Sequence, residues 1–175
     1  MTSETSGEKG LKIRISGLSN GFHEYHFSAE PPEIGLDGNF RPPVTVDVQL
    51  DKTTRQILLR ADISTTGEFE CDRCLDPFQL DLRTGYTLVY LYDESDAARY
   101  NEEEVQIIAP DTVTIDVAED VRQMVMLSVP LKLLCREECR GLCPVCGVNR
   151  NRESCACSEQ KRDPRWDALN GLLNT

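Results

Sequence analysis

The chain has 175 residues, of which 39% are hydrophobic and 28% charged, and its formal net charge is −11. This length accommodates one ordinary domain with a small appendage. The sequence contains no run of eighteen apolar residues, which excludes a helical membrane span. The polar stretch of residues 1–10 lacks the basic and apolar regions of a signal peptide and reads as a disordered leader. We therefore expect a cytoplasmic protein.

The charge is unevenly distributed along the chain. Residues 1–130 carry 24 acidic and 11 basic side chains, whereas residues 131–175 carry 6 acidic and 8 basic ones. An acidic body repels a phosphate backbone and suits a basic protein partner, such as a ribosomal protein. The alternative interpretation is that the acidic excess serves only to keep the protein in solution.

Alternating apolar residues dominate residues 11–134 and predict a mainly β domain, folded as an antiparallel sheet or a partly open barrel. Expected strands cover residues 11–15, 22–28, 44–50, 57–63, 68–71, 78–82, 86–92, 105–108 and 112–115. Residues 30–43 contain four prolines and are expected to form a loop, and Thr65–Gly67 a turn. Residues 93–104 are expected to form a mobile loop.

One helix is expected near residues 116–128, followed by a cysteine-rich tail. The apolar residues from Val117 to Leu127 have helical spacing, Asp116 is a candidate N-cap, and Pro130 ends the pattern. From residue 135 onwards, cysteines replace bulky apolar residues. We therefore expect 135–175 to be a metal-binding tail, with a short final helix near 164–173 that begins at Pro164.

The eight cysteines form a pattern typical of structural zinc sites in a reducing compartment. Our first partition assigns Cys143, Cys146, Cys155 and Cys157 to one zinc, in a C-x2-C-x8-C-x-C arrangement. A candidate second site combines Cys71 and Cys74 with Cys135 and Cys139. A rival partition groups the four cysteines between 135 and 146, and spacing alone leaves the choice open. Cysteines alone can also hold an iron–sulfur cluster, although these spacings match no common ferredoxin pattern.

No catalytic residues and no small-molecule site are expected. The sequence lacks a phosphate-binding loop, a dinucleotide fingerprint and a nucleophile elbow. Four-cysteine zinc sites leave no coordination position open for substrate. A basic group near the cysteines, composed of Arg140, Arg150, Arg152, Lys161 and Arg162, is a candidate contact for a partner or for RNA phosphate. Because acidic residues lie among them, the alternative is a mixed solvated surface.

Several segments resemble the YceD-type large ribosomal RNA subunit accumulation proteins. They are Cys71-Asp72-Arg73-Cys74-Leu75-Asp76-Pro77-Phe78, Gly141-Leu142-Cys143-Pro144-Val145-Cys146-Gly147, and Asp163-Pro164-Arg165-Trp166. The resemblance extends over roughly residues 10–173, although Arg150 stands where the family pattern has leucine.

The resemblance implies a bacterial or organellar factor in ribosome assembly or ribosomal RNA processing. We expect this factor to be non-catalytic and to act through a basic ribosomal protein or a precursor of the large subunit. Two other hypotheses remain open. The chain is a zinc module that binds RNA directly, or it is a chaperone switched by oxidative release of zinc.

Overall fold

The computed structural model describes residues 10–101 and 104–157. These residues form two compact units. The sheet unit comprises the described residues up to Phe69 together with Phe78–Lys132. The cysteine unit comprises Glu70–Pro77 and the described residues from Leu133 onwards. The cysteine unit is therefore assembled from two stretches of chain, and the shorter one separates, along the sequence, the two stretches of the sheet unit.

The fold is mainly β, with one open five-stranded sheet and one two-stranded sheet among the described residues. The strands are β1 Lys12–Arg14, β2 Gly21–Ala29, β3 Phe40–Lys52, β4 Gln56–Glu70, β5 Pro77–Leu91, β6 Val105–Ile107 and β7 Thr114–Asp116. The large sheet has the order β2-β3-β4-β5-β6, and β1 pairs antiparallel with β7. β5 and β6 are parallel, which makes the large sheet mixed. Short 3₁₀ helices cover Pro31–Ile34 and Glu94–Arg99.

The core of the sheet unit lies on one face of the large sheet. Alternate residues of β3 point into it, and Val46, Val48 and Leu50 pair across the strands with Ile63, Ala61 and Leu59. Each fully buried aliphatic side chain of this kind contributes roughly 1.5–3 kcal/mol. The helix α1, Ala118–Ser128, adds Val121 and Val125 to this core. Most of the intervening residues of β3 and β4 are polar and exposed or partly exposed, as the alternation predicted, and Leu58 is an apolar exception.

The loop predicted for residues 30–43 was wrong at residues 40–43, and the turn predicted for Thr65–Gly67 was wrong, because strand pairing overrides local propensity. Pro42 and Pro43 lie inside β3, where the register with β4 shifts between Arg41 and Thr45, so no ladder hydrogen bond is required of either proline. Residues 65–67 lie inside β4 rather than in a turn. Gly67 pairs with Phe40, and a Cβ at Gly67 would lie 2.3 Å from the Phe69 ring, so glycine here makes room for an aromatic side chain.

The helix α1 begins two residues later than predicted. Asp116 belongs to β7, and Val117 occupies the N-cap position. The Asp116 carboxylate nevertheless accepts a hydrogen bond of 3.0 Å from the Ala118 N–H, so it satisfies one of the free amides of the first turn. No helix among the described residues is long and apolar enough to cross a membrane. The leader predicted for residues 1–10 falls, apart from Gly10, outside the described residues, and so does the helix predicted near 164–173.

Candidate metal centre

The eight cysteines form two groups of four in the cysteine unit. Cys71, Cys74, Cys135 and Cys139 form the first cluster, and Cys143, Cys146, Cys155 and Cys157 form the second cluster. Within each cluster the sulfur atoms lie within 4.8 Å of one another. None of the eight is in a disulfide.

The sulfur spacing of the first cluster fits a tetrahedral zinc ion. The Cys71 and Cys139 sulfurs are 3.8 Å apart, and those of Cys74 and Cys135 are 3.7 Å apart. A tetrahedron with Zn–S bonds of about 2.3 Å has edges of about 3.8 Å. An all-thiolate donor set suits zinc or iron rather than magnesium or calcium. Such a site has four protein ligands and no open position.

Both C-x2-C segments fold into the same turn. In the first turn, the Leu75 N–H donates to the Cys71 carbonyl at 2.9 Å, and the Cys71 N–H donates to the Asp76 carbonyl at 3.0 Å. In the second turn, the Gly147 N–H donates to the Cys143 carbonyl at 2.9 Å, and the Cys143 N–H donates to the Val148 carbonyl at 2.8 Å. In both turns, the residue after the second cysteine has a left-handed backbone conformation, with φ of 59° at Leu75 and 75° at Gly147. The sequence alone did not show that the two segments are equivalent, because leucine is unusual in this conformation.

The two polar residues between Cys71 and Cys74 fasten the distant stretch of the cysteine unit. The Asp72 carboxylate accepts from the Leu133 N–H at 2.7 Å, and the Asp72 N–H donates to the Leu133 carbonyl at 2.8 Å. The Arg73 guanidinium donates to the carbonyls of Glu137 and Cys139, at 3.2 and 2.8 Å. These bonds hold the segment that carries Cys135 and Cys139 beside the first turn.

Two asparagines connect the clusters. The Asn151 side chain donates to the Cys139 sulfur at 3.3 Å and to the Asn149 amide oxygen at 3.0 Å. Asn149 in turn donates to the Asp76 carboxylate at 2.9 Å. The Leu142–Asn149 bridge spans the second turn. The segment from Asn149 to Asn151 therefore closes the second turn and also contacts a ligand of the first cluster, an arrangement typical of groups that orient metal ligands.

Backbone amides around the first cluster favour thiolates at some positions. Burial raises the pKa of Cys71, but the N–H groups of Cys135, Arg73 and Cys74 outweigh it and lower the pKa to about 6. Burial likewise raises the pKa of Cys139, but hydrogen bonds from the Asn151 side chain and the Gly141 N–H outweigh it, so the pKa of Cys139 is lowered. For the Cys74 thiol, the Asp76 N–H lowers the pKa, but burial and the three neighbouring thiols raise it to about 12.

The second cluster shows the same contrast between neighbouring thiols. The N–H groups of Cys146 and Val145 lower the pKa of Cys143 to about 6. The Cys146 side chain, burial and the Cys143 side chain raise the pKa of Cys157 to about 12. Four thiols this close cannot all ionise without a compensating cation, and a divalent metal ion supplies that charge.

The structure brings the cysteines together in the first of the two partitions that the sequence left open. The rival set, Cys135, Cys139, Cys143 and Cys146, is divided between the clusters. Arg140, Arg150 and Arg152 line one groove of the cysteine unit. The candidate contacts Lys161 and Arg162 lie outside the described residues.

Sequence reasoning missed the polar residues that support the clusters, Asp72, Arg73, Asp76, Asn149 and Asn151. Their hydrogen bonds join positions up to 76 residues apart. Their place beside cysteines, and for Asp72, Arg73 and Asp76 also their place in a segment that resembles the family, did not reveal which groups they would contact.

A mainly β chain with two four-cysteine clusters in one small unit defines a class of cysteine-rich proteins suited to structural metal binding. Residues 59–173 match the model of the family described as large ribosomal RNA subunit accumulation protein YceD. The chain belongs to this family.

The chain is also similar to several curated proteins. An uncharacterized protein of Mycobacterium tuberculosis is 31% identical over 129 residues, which are 73% of this chain and 61% of the relative. An uncharacterized protein of Mycobacterium leprae is 24% identical over 131 residues, 75% of this chain and 59% of that protein. The chloroplastic large ribosomal RNA subunit accumulation protein YCED homolog 1 of Arabidopsis thaliana is 30% identical over 63 residues, 36% of this chain and 20% of the homologue. The chain spans about three fifths of the length of the mycobacterial relatives. No solved structure matches it.

Proposed function

We propose that this chain is a non-catalytic, cytoplasmic factor that supports the accumulation of large-subunit ribosomal RNA, and that zinc at both cysteine clusters gives its cysteine unit a fixed shape. The observation that carries the proposal is the pair of closed four-thiol clusters in a chain of the YceD family. All four positions of a tetrahedral zinc are filled by protein sulfur in each cluster, which leaves none for substrate.

Zinc at these sites acts through folding. Few bulky apolar residues are present in the cysteine unit, so burial alone provides little of its stability. Binding of zinc to thiolates supplies folding free energy directly, because the unfolded chain does not hold the four ligands together. Cys71 and Cys74 then join the later stretch of chain through the metal as well as through the bonds of Asp72 and Arg73.

The sheet unit offers a surface suited to a basic partner. Asp47 and Asp62 lie directly opposite each other on β3 and β4, and both are exposed. Among the described residues, the His26 ring nitrogen is the side-chain hydrogen-bond partner of Asp47, at 2.6 Å. Two carboxylates facing each other across a sheet repel, and a cationic side chain from a partner relieves that repulsion. A basic ribosomal protein or an assembly intermediate fits this chemistry.

Metal content is the first test. We expect two zinc ions per purified chain, and one in each of the double variants Cys71→Ser/Cys74→Ser and Cys143→Ser/Cys146→Ser. Arg83→Gln, an exposed substitution in the sheet unit, serves as the control and retains both. A wild-type protein without zinc, or with iron in its place, contradicts the assignment of the metal.

Association with ribosome precursors tests the function itself. Tagged protein is expected to cosediment with precursors of the large subunit, and its depletion to lower large-subunit relative to small-subunit ribosomal RNA. Each cysteine double variant is expected to restore less ribosomal RNA than Arg83→Gln does. Normal ribosomal RNA ratios after depletion, or the absence of the protein from all precursor fractions, would refute the proposal.

A further inference from the structure

Three arginines converge on one groove in the cysteine unit. The arginine groove has a volume of about 620 Å³ and is lined by Arg140, Arg150 and Arg152 together with Asn151, Glu153, Ser154 and Cys155. Within residues 10–101 and 104–157, no aromatic or aliphatic side chain lines it. The sequence predicted that these arginines belong to one basic group, but it did not predict that they line a common cavity.

The backbone under these arginines is held firmly. The Arg140 N–H donates to the Asn151 amide oxygen at 2.9 Å, and the Arg150 N–H donates to the Gly141 carbonyl at 2.9 Å. The Arg152 N–H donates to the Asn149 carbonyl at 3.0 Å. A fixed backbone lowers the conformational entropy lost when guanidinium groups order around a ligand.

Two of the three guanidinium groups have no carboxylate partner. Arg152 donates to the Asp76 carboxylate at 2.8 Å, and 69% of its side chain remains exposed. Arg140 and Arg150 are exposed and make no ion pair within residues 10–101 and 104–157. Arg73 differs from them, because its guanidinium is committed to the carbonyls of Glu137 and Cys139. The groove therefore presents two guanidinium groups, those of Arg140 and Arg150, that form no ion pair with the described part of the chain.

We propose that the arginine groove binds the phosphate backbone of single-stranded RNA, without reading its sequence. This inference rests on the proposed function, which places the chain beside ribosomal RNA. A guanidinium forms paired hydrogen bonds with phosphate oxygens. The described lining residues carry charged and polar groups that suit phosphate oxygens, and none of them is an aromatic side chain on which a base would stack. The polar lining also lacks the apolar centre of a protein interface, so RNA is the better fit than an acidic protein.

A second role for these arginines has to be separated from RNA binding. Cys155 belongs to the second cluster and lines the groove. A zinc ion with four thiolates carries a net charge of −2, so nearby guanidinium groups also serve as counter-charges. If that is their role, removal of Arg140 and Arg150 weakens zinc binding and leaves any affinity for RNA unchanged.

The test is the salt dependence of RNA binding by the full chain with both zinc ions present. A labelled single-stranded RNA oligonucleotide of mixed sequence is titrated with wild type, Arg140→Gln/Arg150→Gln, and the control Arg60→Gln/Arg83→Gln. The control removes the same charge from two exposed arginines of the sheet unit. Zinc content is measured on every sample.

For three phosphate contacts, the slope of log affinity against log salt is expected to be about −2, and loss of two contacts to reduce its magnitude by about 1.4. We expect the groove variant to bind at least about tenfold more weakly at low salt and the control to match wild type. Equal slopes for the groove variant and wild type would overturn the inference. So would loss of zinc without a change in RNA affinity, or a wild type that does not bind RNA. Continued cosedimentation with large-subunit precursors in those cases would leave the proposed function standing.

Discussion

Asn151 provides the sharpest test of how the first cluster is supported. Its side chain donates to the Cys139 sulfur at 3.3 Å and accepts from the Arg140 N–H at 2.9 Å. The change Asn151→Ala removes these two bonds and the bond of 3.0 Å to the Asn149 amide oxygen, and it leaves all four cysteine ligands in place. A hydrogen bond to a charged group contributes about 1.5–3 kcal/mol, and tenfold in affinity corresponds to about 1.4 kcal/mol. We therefore expect zinc affinity at the first cluster to fall about 10–100-fold, the range typical of groups that orient metal ligands.

The measurement requires variants in which only one of the two clusters can bind zinc. Cys143→Ser/Cys146→Ser leaves only the first cluster complete, and Cys71→Ser/Cys74→Ser leaves only the second. Asn151→Ala is introduced into both backgrounds, and zinc affinity is measured by competition with a chromophoric chelator. The loss is expected in the first background and not in the second.

Asn101→Ala is the matched control, because the Asn101 side chain donates to Glu104 in the sheet unit, away from any cysteine. An affinity within about twofold of the parent in the first background would refute the role assigned to Asn151. Equal losses in both backgrounds would instead show a general effect on the cysteine unit.

Further predictions concern glycine conformation and buried phenols. Gly141 and Gly147 both have positive φ, but only at Gly141 would a Cβ meet a backbone atom, the Arg73 carbonyl oxygen at 2.8 Å. We expect Gly141→Ala to destabilise the zinc-loaded protein by at least about 1 kcal/mol more than Gly147→Ala in chemical denaturation, and equal losses would contradict the reported contact. Burial and the Asp120 carboxylate raise the pKa values of Tyr86 and Tyr90 well above 10. Because the phenols of the unfolded chain lose their protons first, the free energy of unfolding is expected to fall as pH rises above about 10. The double variant Tyr86→Phe/Tyr90→Phe is expected to show a smaller fall in chemical denaturation. The same fall in the variant and in wild type would contradict this account of the two phenols.

The parts of the fold that could be predicted from the sequence are those determined by residues close together along the chain. The alternation in Val44–Leu50 reports directly which side chains face the core, and β3 covers that segment. The start of β3 at Phe40 did not follow, because two prolines oppose it locally and only pairing with β4 favours it. The parallel pairing of β6 with β5 is also a long-range property, invisible in a three-residue strand.

The candidate metal centre divides in the same way. Spacing narrowed the eight cysteines to two partitions, and only the fold, which brings Cys74 and Cys135 together across 61 positions, selects one of them. Spacing carried no information about Arg73 and Asn151, since their partners are a carbonyl and a sulfur 66 and 12 residues away. The equivalence of the two C-x2-C turns was also hidden, because Leu75 takes the position that glycine occupies in the second turn.

The first cluster draws its cysteines from both sides of a long stretch of chain, and this affects the order in which the molecule matures. Cys74 and Cys135 are separated by 61 positions, whereas the second cluster lies wholly within residues 143–157. Closing the loop between Cys74 and Cys135 costs about 1.7 kcal/mol more than closing the loop of nine positions between Cys146 and Cys155. During synthesis, the whole segment from β5 to α1 emerges while Cys71 and Cys74 still lack half of their cluster. In refolding from denaturant the second cluster is expected to capture metal first, because its ligands meet without the rest of the chain.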